Sequence, residues 1–168
     1  HYRHALESTL GPVTVMGIDE ALYLQRSVLI GSTTVIVSTI QAFRVEEKDG
    51  RKVYSTNGML DHHFVNLPRE IEDKLMREDS GVVPHSLANV LRIHRPLVIV
   101  DEAHNARTEL SFDTLANFRP SAIIEFSATP DSDKNPSNVL HSVSAAELKA
   151  ENMIKLPIFL SRTFSRRS

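Results

Sequence analysis

Leu97-Val98-Ile99-Val100-Asp101-Glu102-Ala103-His104 is the most informative stretch of the chain. Its first half is an uninterrupted aliphatic run rich in β-branched residues, which is typical of a strand buried in a parallel sheet. Two carboxylates follow at once, and the carboxyl end of such a strand is where open α/β sheets bind ligands. Adjacent acids there suit a hydrated Mg²⁺ ion beside a phosphate chain, since one can hold the metal and the other can orient water. For this acidic pair alone, a strand that ends in a solvated turn is the simpler alternative.

A second segment weakens that alternative. Ala122 to Phe126 is another apolar run, and Ser127-Ala128-Thr129-Pro130 follows it with small hydroxylated residues and a proline stop. One helix-length connection separates the two runs. Two neighbouring strands that end in these two clusters are a far less probable accident than either cluster alone.

The remaining periodicity predicts an α/β fold. Apolar runs predict two further strands, and helical spacing or capping residues predict helices between and after the strands. Alternation of such elements indicates a mainly parallel sheet that is covered on both faces. The further strands are Val13 to Ile18 and Thr34 to Val37, and the helices are Ser86 to Arg95, a segment after Asn105 that contains Leu110, Leu115 and Phe118, and Ala145 to about Asn152 behind the capping box Ser144-Ala145-Ala146-Glu147.

The stretch between the second and third strands is polar and charged. We interpret Val45 to Thr56 as an exposed excursion, most simply a hairpin, and Asn57-Gly58 as a tight turn. A helix is expected around Pro68 to Arg77. The pair His62-His63 is interpreted as a solvated turn and not a metal site, because adjacent residues do not face the same way and no second ligand pair has suitable spacing.

Composition limits the class of protein. The chain has 168 residues, 41% of them hydrophobic, and a formal charge of −2 from 19 basic and 21 acidic residues. This is an ordinary globular composition, and no apolar run approaches the length of a membrane span. With no cysteine there is no disulfide, thiolate nucleophile or zinc finger, which suits the cytoplasm. Because the net charge is near zero, any contact with nucleic acid must be local.

The acidic cluster and the hydroxylated cluster each resemble a motif of a known protein family. Asp101-Glu102-Ala103-His104 resembles motif II of the DEAD/DEAH-box superfamily 2 helicases, and Ser127-Ala128-Thr129 resembles their motif III. The amino-acid sequence from roughly Leu10 to Pro157 is similar to the helicase part of type III restriction enzyme Res subunits. The resemblance implies a partial RecA-like three-layer fold, ATP and Mg²⁺ as cofactors, DNA as partner, and an ATP-dependent helicase or translocase as the activity.

The same resemblance implies roles for individual residues. Asp101 would hold Mg²⁺ through water, Glu102 would activate the water that attacks the γ-phosphate, and His104 would link the nucleotide site to motif III. Ser127, Ala128 and Thr129 would couple hydrolysis to movement along DNA. Three further residues, Ser38, Thr39 and Gln41, fall where motif Ib of the family touches the DNA backbone.

The chain departs from the family at the phosphate-binding loop, or P-loop. ATP binding in the family needs G-x-x-x-x-G-K-[ST], yet none of the six glycines is followed by Lys. Gly31-Ser32-Thr33-Thr34 imitates part of the motif, but it precedes a predicted strand, whereas a P-loop follows one. We therefore expect a fold that lacks the P-loop strand and a chain that cannot hydrolyse ATP alone.

The domain interpretation follows from these matches and departures. Residues 1–157 are assigned to an incomplete first RecA-like lobe, and residues 158–168 to a truncated linker or disordered tail. The chain is interpreted as a fragment of a larger enzyme, whose second RecA-like lobe and methyltransferase (Mod) subunit would be further partners. A catalytically inert remnant of a broken reading frame is the alternative, and both remain open from sequence.

Overall fold

The computed structural model describes residues 7–43, 52–101, 103, 109–127 and 138–151. The chain divides into two compact units, His1–Thr129 and Pro130–Ser168, and each is considered by itself. Among the described helices, none combines the length and the hydropathy needed to cross a bilayer.

The four predicted strands are confirmed. They form two parallel pairs within the described ranges: Val13 aligns with Thr33 in the first pair, and Leu97 aligns with Ala122 in the second. Parallel partners require a crossover connection, and helices supply it in both pairs. The chain is therefore a mixed α/β protein with small parallel sheets. The strands are β1 (Val13–Gly17), β2 (Thr33–Val37), β3 (Leu97–Val100) and β4 (Ala122–Glu125).

Short helices lie between and after the strands. The helix expected around residues 68–77 is present but much shorter, and the helices expected before and after the third strand are confirmed. The α-helices are α1 (Ile18–Ala21), α2 (Arg26–Gly31), α3 (Arg69–Glu72), α4 (Leu87–His94), α5 (Glu109–Ala116) and α6 (Ala145–Ala150). Within the described ranges the 3₁₀ helices are η1 (Ile40–Phe43) and η2 (Gly58–His63), and residues 7–10 and 52–54 are also helical.

Hydrogen bonds at its first and last turns determine where helix α4 begins and ends. The Ser86 hydroxyl accepts a hydrogen bond from the Asn89 N–H at 3.3 Å, which satisfies a donor of the first turn. At the other end Arg95 adopts a left-handed conformation with φ of 50°, and its N–H donates to the Leu91 carbonyl at 2.8 Å. The helix therefore stops directly before β3.

The core of the first unit lies between α4 and the segments on either side of η2. Phe118 brings the segment before β4 into this core, with its ring 4.9 Å from Phe43 in an edge-to-face contact and 6.4 Å from Tyr54. The Tyr54 hydroxyl donates to the Phe43 carbonyl at 3.0 Å, and burial raises the Tyr54 pKa. The buried cluster comprises Ala21, Leu24, Val53, Leu60, Leu87, Ala88, Val90 and Phe118.

The expectation of a sheet covered on both faces is wrong for the second strand pair. Leu97 is 53% exposed and Ile99 is 62% exposed, and Ile124 on β4 also faces solvent. Exposure alternates with partial burial along both strands because successive side chains point to opposite faces. One face of the β3–β4 pair is therefore packed, and the other presents aliphatic side chains to water.

The expectation of an exposed hairpin over residues 45–56 is wrong where the structure describes that segment. Residues 52–54 are helical and Val53 is buried in the core cluster; residues 44–51 lie outside the described ranges. The predicted tight turn at Asn57-Gly58 is instead the start of η2. The Asn57 side chain accepts from the Met59 N–H at 3.1 Å and donates to the Leu22 carbonyl at 2.7 Å.

The described part of the second unit contains α6, and the predicted capping box is present. Glu147 Oε2 accepts from the Ser144 N–H at 2.7 Å, and the Glu147 N–H donates to the Ser144 hydroxyl at 3.2 Å. The Ser144 backbone and hydroxyl hydrogen bonds hold the Glu147 pKa below its ordinary value. The predicted end at Asn152 lies outside the described residues.

Candidate functional site

The two strands that precede the acidic and hydroxylated clusters end side by side. Val100 on β3 aligns with Glu125 on β4. The ladder continues beyond the strands, because the Phe126 N–H donates to the Val100 carbonyl at 2.9 Å. The Ala103 N–H then donates back to the Phe126 carbonyl at 2.9 Å. The chain after β3 is therefore hydrogen-bonded to the chain after β4.

This arrangement brings two of the predicted site residues to one sheet edge. Asp101 lies opposite Phe126, the neighbour of Ser127 in the chain. Asp101 is exposed in a turn, Ser127 is half-buried, and Ala103 is fully buried. The other residues predicted for this edge, Glu102, His104, Ala128 and Thr129, lie outside the described residues.

Two polar residues of α4 hold the elements that lead into this edge. Asn89 is completely buried, and its amide accepts from the Met76 N–H at 2.8 Å and donates to the Pro84 carbonyl at 2.9 Å. Arg92 donates to the Lys74 carbonyl at 2.8 Å and also to the Asn117 carbonyl in the turn before β4. Arg92 thus connects the helix before β3 to the turn before β4.

Neither Asn89 nor Arg92 was predicted from the sequence to have a structural role. Asn89 is detectable in part, because asparagine is a poor helix former and here stands among apolar residues of a helix. For Arg92, burial and then the charge of Arg119 lower the guanidinium pKa. Its carbonyl partners are distant in sequence, so local spacing gives no indication of them.

The residues expected to touch DNA stand on the other strand pair. Ser38 and Thr39 follow β2 and are exposed, and the Ser38 hydroxyl donates to the Thr39 carbonyl at 3.1 Å. Gln41 is exposed on η1. Like Asp101, these residues follow the carboxyl end of a parallel strand. That strand belongs to a different sheet from the strand before Asp101 within the described ranges.

Gly31-Ser32-Thr33-Thr34 has the wrong connectivity for a phosphate-binding loop. Helix α2 ends at Gly31 and β2 begins at Thr33, so the segment connects a helix to a strand. The Ser32 hydroxyl is 2.8 Å from the Thr14 hydroxyl on β1 and donates to the Val28 carbonyl at 3.0 Å. The segment joins two structural elements and has no open cradle of backbone amides.

The interpretation of His62-His63 as a solvated turn is wrong for the second residue. His63 is only 3% exposed, because its Nε2 lies 2.8 Å from the Leu24 carbonyl and its ring packs against His94. Across the described part of the chain, no group of three or more metal-ligating side chains is arranged to hold an ion.

A family model described as "Type III restriction enzyme, res subunit" matches residues 22–132. The match includes α2, β2, the polar stretch, and both strands that lead to the acidic and hydroxylated clusters. No curated protein and no solved structure matches the chain at a significant level. The family model spans well over half of the 168 residues, so the chain belongs to the family of type III restriction enzyme res subunits, a family with a helicase-type domain.

Proposed function

We propose that this chain is part of the first RecA-like lobe of an ATP-driven DNA helicase or translocase. The single observation that carries the proposal is the register of β3 and β4, which supports a common edge for the acidic cluster and the Ser-Ala-Thr turn. The connection from Ala103 back to Phe126 favours a fixed spacing between the two clusters. Membership of the res-subunit family agrees with this assignment.

In the proposed reaction the edge serves the triphosphate of ATP. Asp101 would hold Mg²⁺ through water, and Glu102 would position and deprotonate the water that attacks the γ-phosphorus, while the bond from that phosphorus to the β–γ bridging oxygen breaks and ADP leaves. The exposure of Asp101 supports an outer-sphere role, because Mg²⁺ gives up its hydration waters reluctantly. His104 passes the state of the nucleotide to the Ser-Ala-Thr turn of the next strand. The phosphate clamp would come from a P-loop, which these 168 residues do not contain.

DNA is the proposed partner along the other strand pair. Ser38, Thr39 and Gln41 are exposed, uncharged and placed after a parallel strand, which suits contacts with phosphates and does not require reading of bases. Ser127, Ala128 and Thr129 would transmit hydrolysis to these contacts when the lobe closes on a second lobe. A methyltransferase subunit is the further partner that this family assignment suggests.

The test is a transplant. Residues 22–132 replace the corresponding segment of an active family member that has its own P-loop and second lobe, and DNA-stimulated ATP hydrolysis is measured. We expect hydrolysis to survive the transplant and to fall by at least about 10²-fold in Glu102→Gln, the lower end of what a general base contributes. Asp113→Asn, an exposed acid on α5, is the matched control and should leave the rate unchanged.

Each outcome separates the proposal from its alternative. A folded transplant without hydrolysis would favour an inert remnant whose motifs no longer function. Hydrolysis that resists both Glu102→Gln and Asp101→Asn would place the chemistry elsewhere and refute the residue assignment.

A further inference from the structure

A pocket of about 270 Å³ lies between the end of η2, helix α3 and the segment that precedes α4. It is open to solvent, and its lining residues are separate from β3, β4 and the turns that follow them. We call this cavity the α3 pocket. Small-molecule sites typically measure about 300–1,000 Å³, so the α3 pocket suits a group the size of one side chain. Its apolar walls are Phe64, Leu67, Leu75 and Val83, and its ionisable side chains are Glu72 and His85.

The His85 ring is held in one orientation by two contacts. Its Nδ1 lies 2.8 Å from Asp61 Oδ1, and the ring stacks on Phe64 with centroids 4.2 Å apart and planes 8° apart. An ionised carboxylate can only accept a hydrogen bond, so His85 Nδ1 is the donor to Asp61. In the neutral ring the lone pair is then on Nε2. His85 therefore contributes a fixed hydrogen-bond acceptor to the α3 pocket.

The Glu72 carboxylate is a second acceptor in the same pocket. Glu72 is exposed on α3, and within the described ranges its side chain has no hydrogen-bond or ion-pair partner. Leu75 is only 6% exposed, whereas the His85 side chain is 40% exposed. The inner wall of the pocket is therefore apolar, and its two acceptors lie nearer to solvent. A group with an apolar stem and a cationic end that has several N–H donors matches this arrangement.

The surface around the α3 pocket is acidic. Residues 61–79 carry six acidic and three basic side chains, a net charge of −3 against −2 for the whole chain. A local negative field attracts a basic partner and opposes the phosphates of DNA. The acidic residues, all of them exposed, are Asp61, Glu70, Glu72, Asp73, Glu78 and Asp79.

We propose that the α3 pocket binds an arginine side chain of a protein partner. A guanidinium presents five N–H donors across a rigid plane, so it can serve the Glu72 carboxylate on α3 and His85 Nε2 on the segment before α4 together. A lysine ammonium is a compact point charge and fits two acceptors on separate elements less well. The aliphatic stem of the arginine lies against the apolar walls. This interaction is separate from the nucleotide chemistry and the DNA contacts of the proposed function.

The test is an NMR titration of the isotope-labelled full chain with the blocked peptide acetyl-Gly-Arg-Gly-amide. We expect saturable shifts of the Glu72, Val83 and His85 amides and none at Val90, which lies inside α4. A peptide with citrulline in place of arginine keeps the shape and loses the charge, so it should bind at least about fivefold more weakly, the upper end of what an exposed ion pair contributes. Equal binding of the citrulline peptide would overturn the proposal.

Other probes test the identity of the occupant in the parent protein, so they stay decisive if a variant does not fold. Equal binding of the corresponding lysine peptide would overturn the assignment to arginine. Agmatine has the same guanidinium stem without a peptide backbone, and tighter binding of agmatine would assign the pocket to a free amine and not to a protein. Duplex DNA that shifts the same amides would likewise overturn the proposal.

Variants separate the pocket from the general acidity of the surface. Glu72→Gln should raise the Kd of the arginine peptide about fivefold. Glu70→Gln, the matched control, makes the same change in charge two residues earlier on α3 but outside the pocket lining, and should change the Kd less than about twofold. Val83→Phe fills the pocket and leaves every charge in place, so it should abolish binding. Equal weakening by the two glutamine variants, or unchanged binding in folded Val83→Phe, would refute the pocket.

Discussion

Replacement of Phe118 by alanine tests whether the segment before β4 is fixed by the shared core. Phe118 is only 2% exposed, and it contacts both Phe43 and Tyr54. Truncation of a buried phenylalanine costs about 3–5 kcal/mol, and the two ring contacts place the expected loss near the upper half of that range. With a urea m value of about 2 kcal/mol/M, a loss of about 4 kcal/mol lowers the unfolding midpoint by about 2 M.

The assay is urea unfolding followed by far-ultraviolet circular dichroism, with Phe126→Ala as the matched control. Phe126 is the same residue type eight positions later, but its side chain is 58% exposed, so its loss should change the free energy of unfolding by less than about 0.5 kcal/mol. If the two variants lose similar stability, or if Phe118→Ala loses less than about 1 kcal/mol, then the aromatic contacts do not fix this segment.

Three further outcomes are expected. The isolated chain should release no more phosphate from ATP than its Glu102→Gln variant, and turnover that this substitution abolishes would contradict the requirement for a separate P-loop. Asn89→Ala should destabilise the protein by about 2–3 kcal/mol in thermal or urea unfolding, since it leaves the buried Met76 N–H and Pro84 carbonyl without their partners; a loss below about 0.5 kcal/mol would mean that water replaces the amide. Ile99→Thr should reduce the binding of an apolar fluorescent dye and self-association on a sizing column, because Ile99 lies on the uncovered face of the β3–β4 pair; unchanged dye binding would place the exposed apolar surface elsewhere.

The positions of the strands could be predicted because an aliphatic run needs little context to form a strand. All four were found within one residue of either end, and β3 matches its prediction from Leu97 to Val100. The covering of the sheet could not be predicted in the same way. A run of apolar residues shows which side chains prefer burial, but it does not show whether another layer packs against each face. Ile99 therefore looks like a core residue in the sequence and is exposed in the structure.

In polar stretches of the sequence the error was the opposite one, because residues that were expected to be exposed are buried. Val53 stands beside a run of charged residues, so its neighbours suggested an exposed loop, yet it is buried with Leu60 and Leu87. His63 can be buried because the Leu24 carbonyl accepts a hydrogen bond from its ring. That carbonyl is 39 residues away in the chain. Local periodicity cannot detect a partner at that distance. Burial of a polar side chain depends on the availability of such a partner.

The alignment of the two strand ends was predictable because main-chain bonds determine it. Parallel strands place their carboxyl ends at one edge, so the two apolar runs were enough to predict that β3 and β4 end side by side. The Phe126 and Ala103 amides hold the two strand ends, and both bonds are independent of the acidic side chains. Because both bonds use main-chain atoms alone, a loss of hydrolysis in the Asp101→Asn transplant supports the proposed role of Asp101 at Mg²⁺ when its far-ultraviolet circular dichroism and its urea midpoint match those of the unsubstituted transplant.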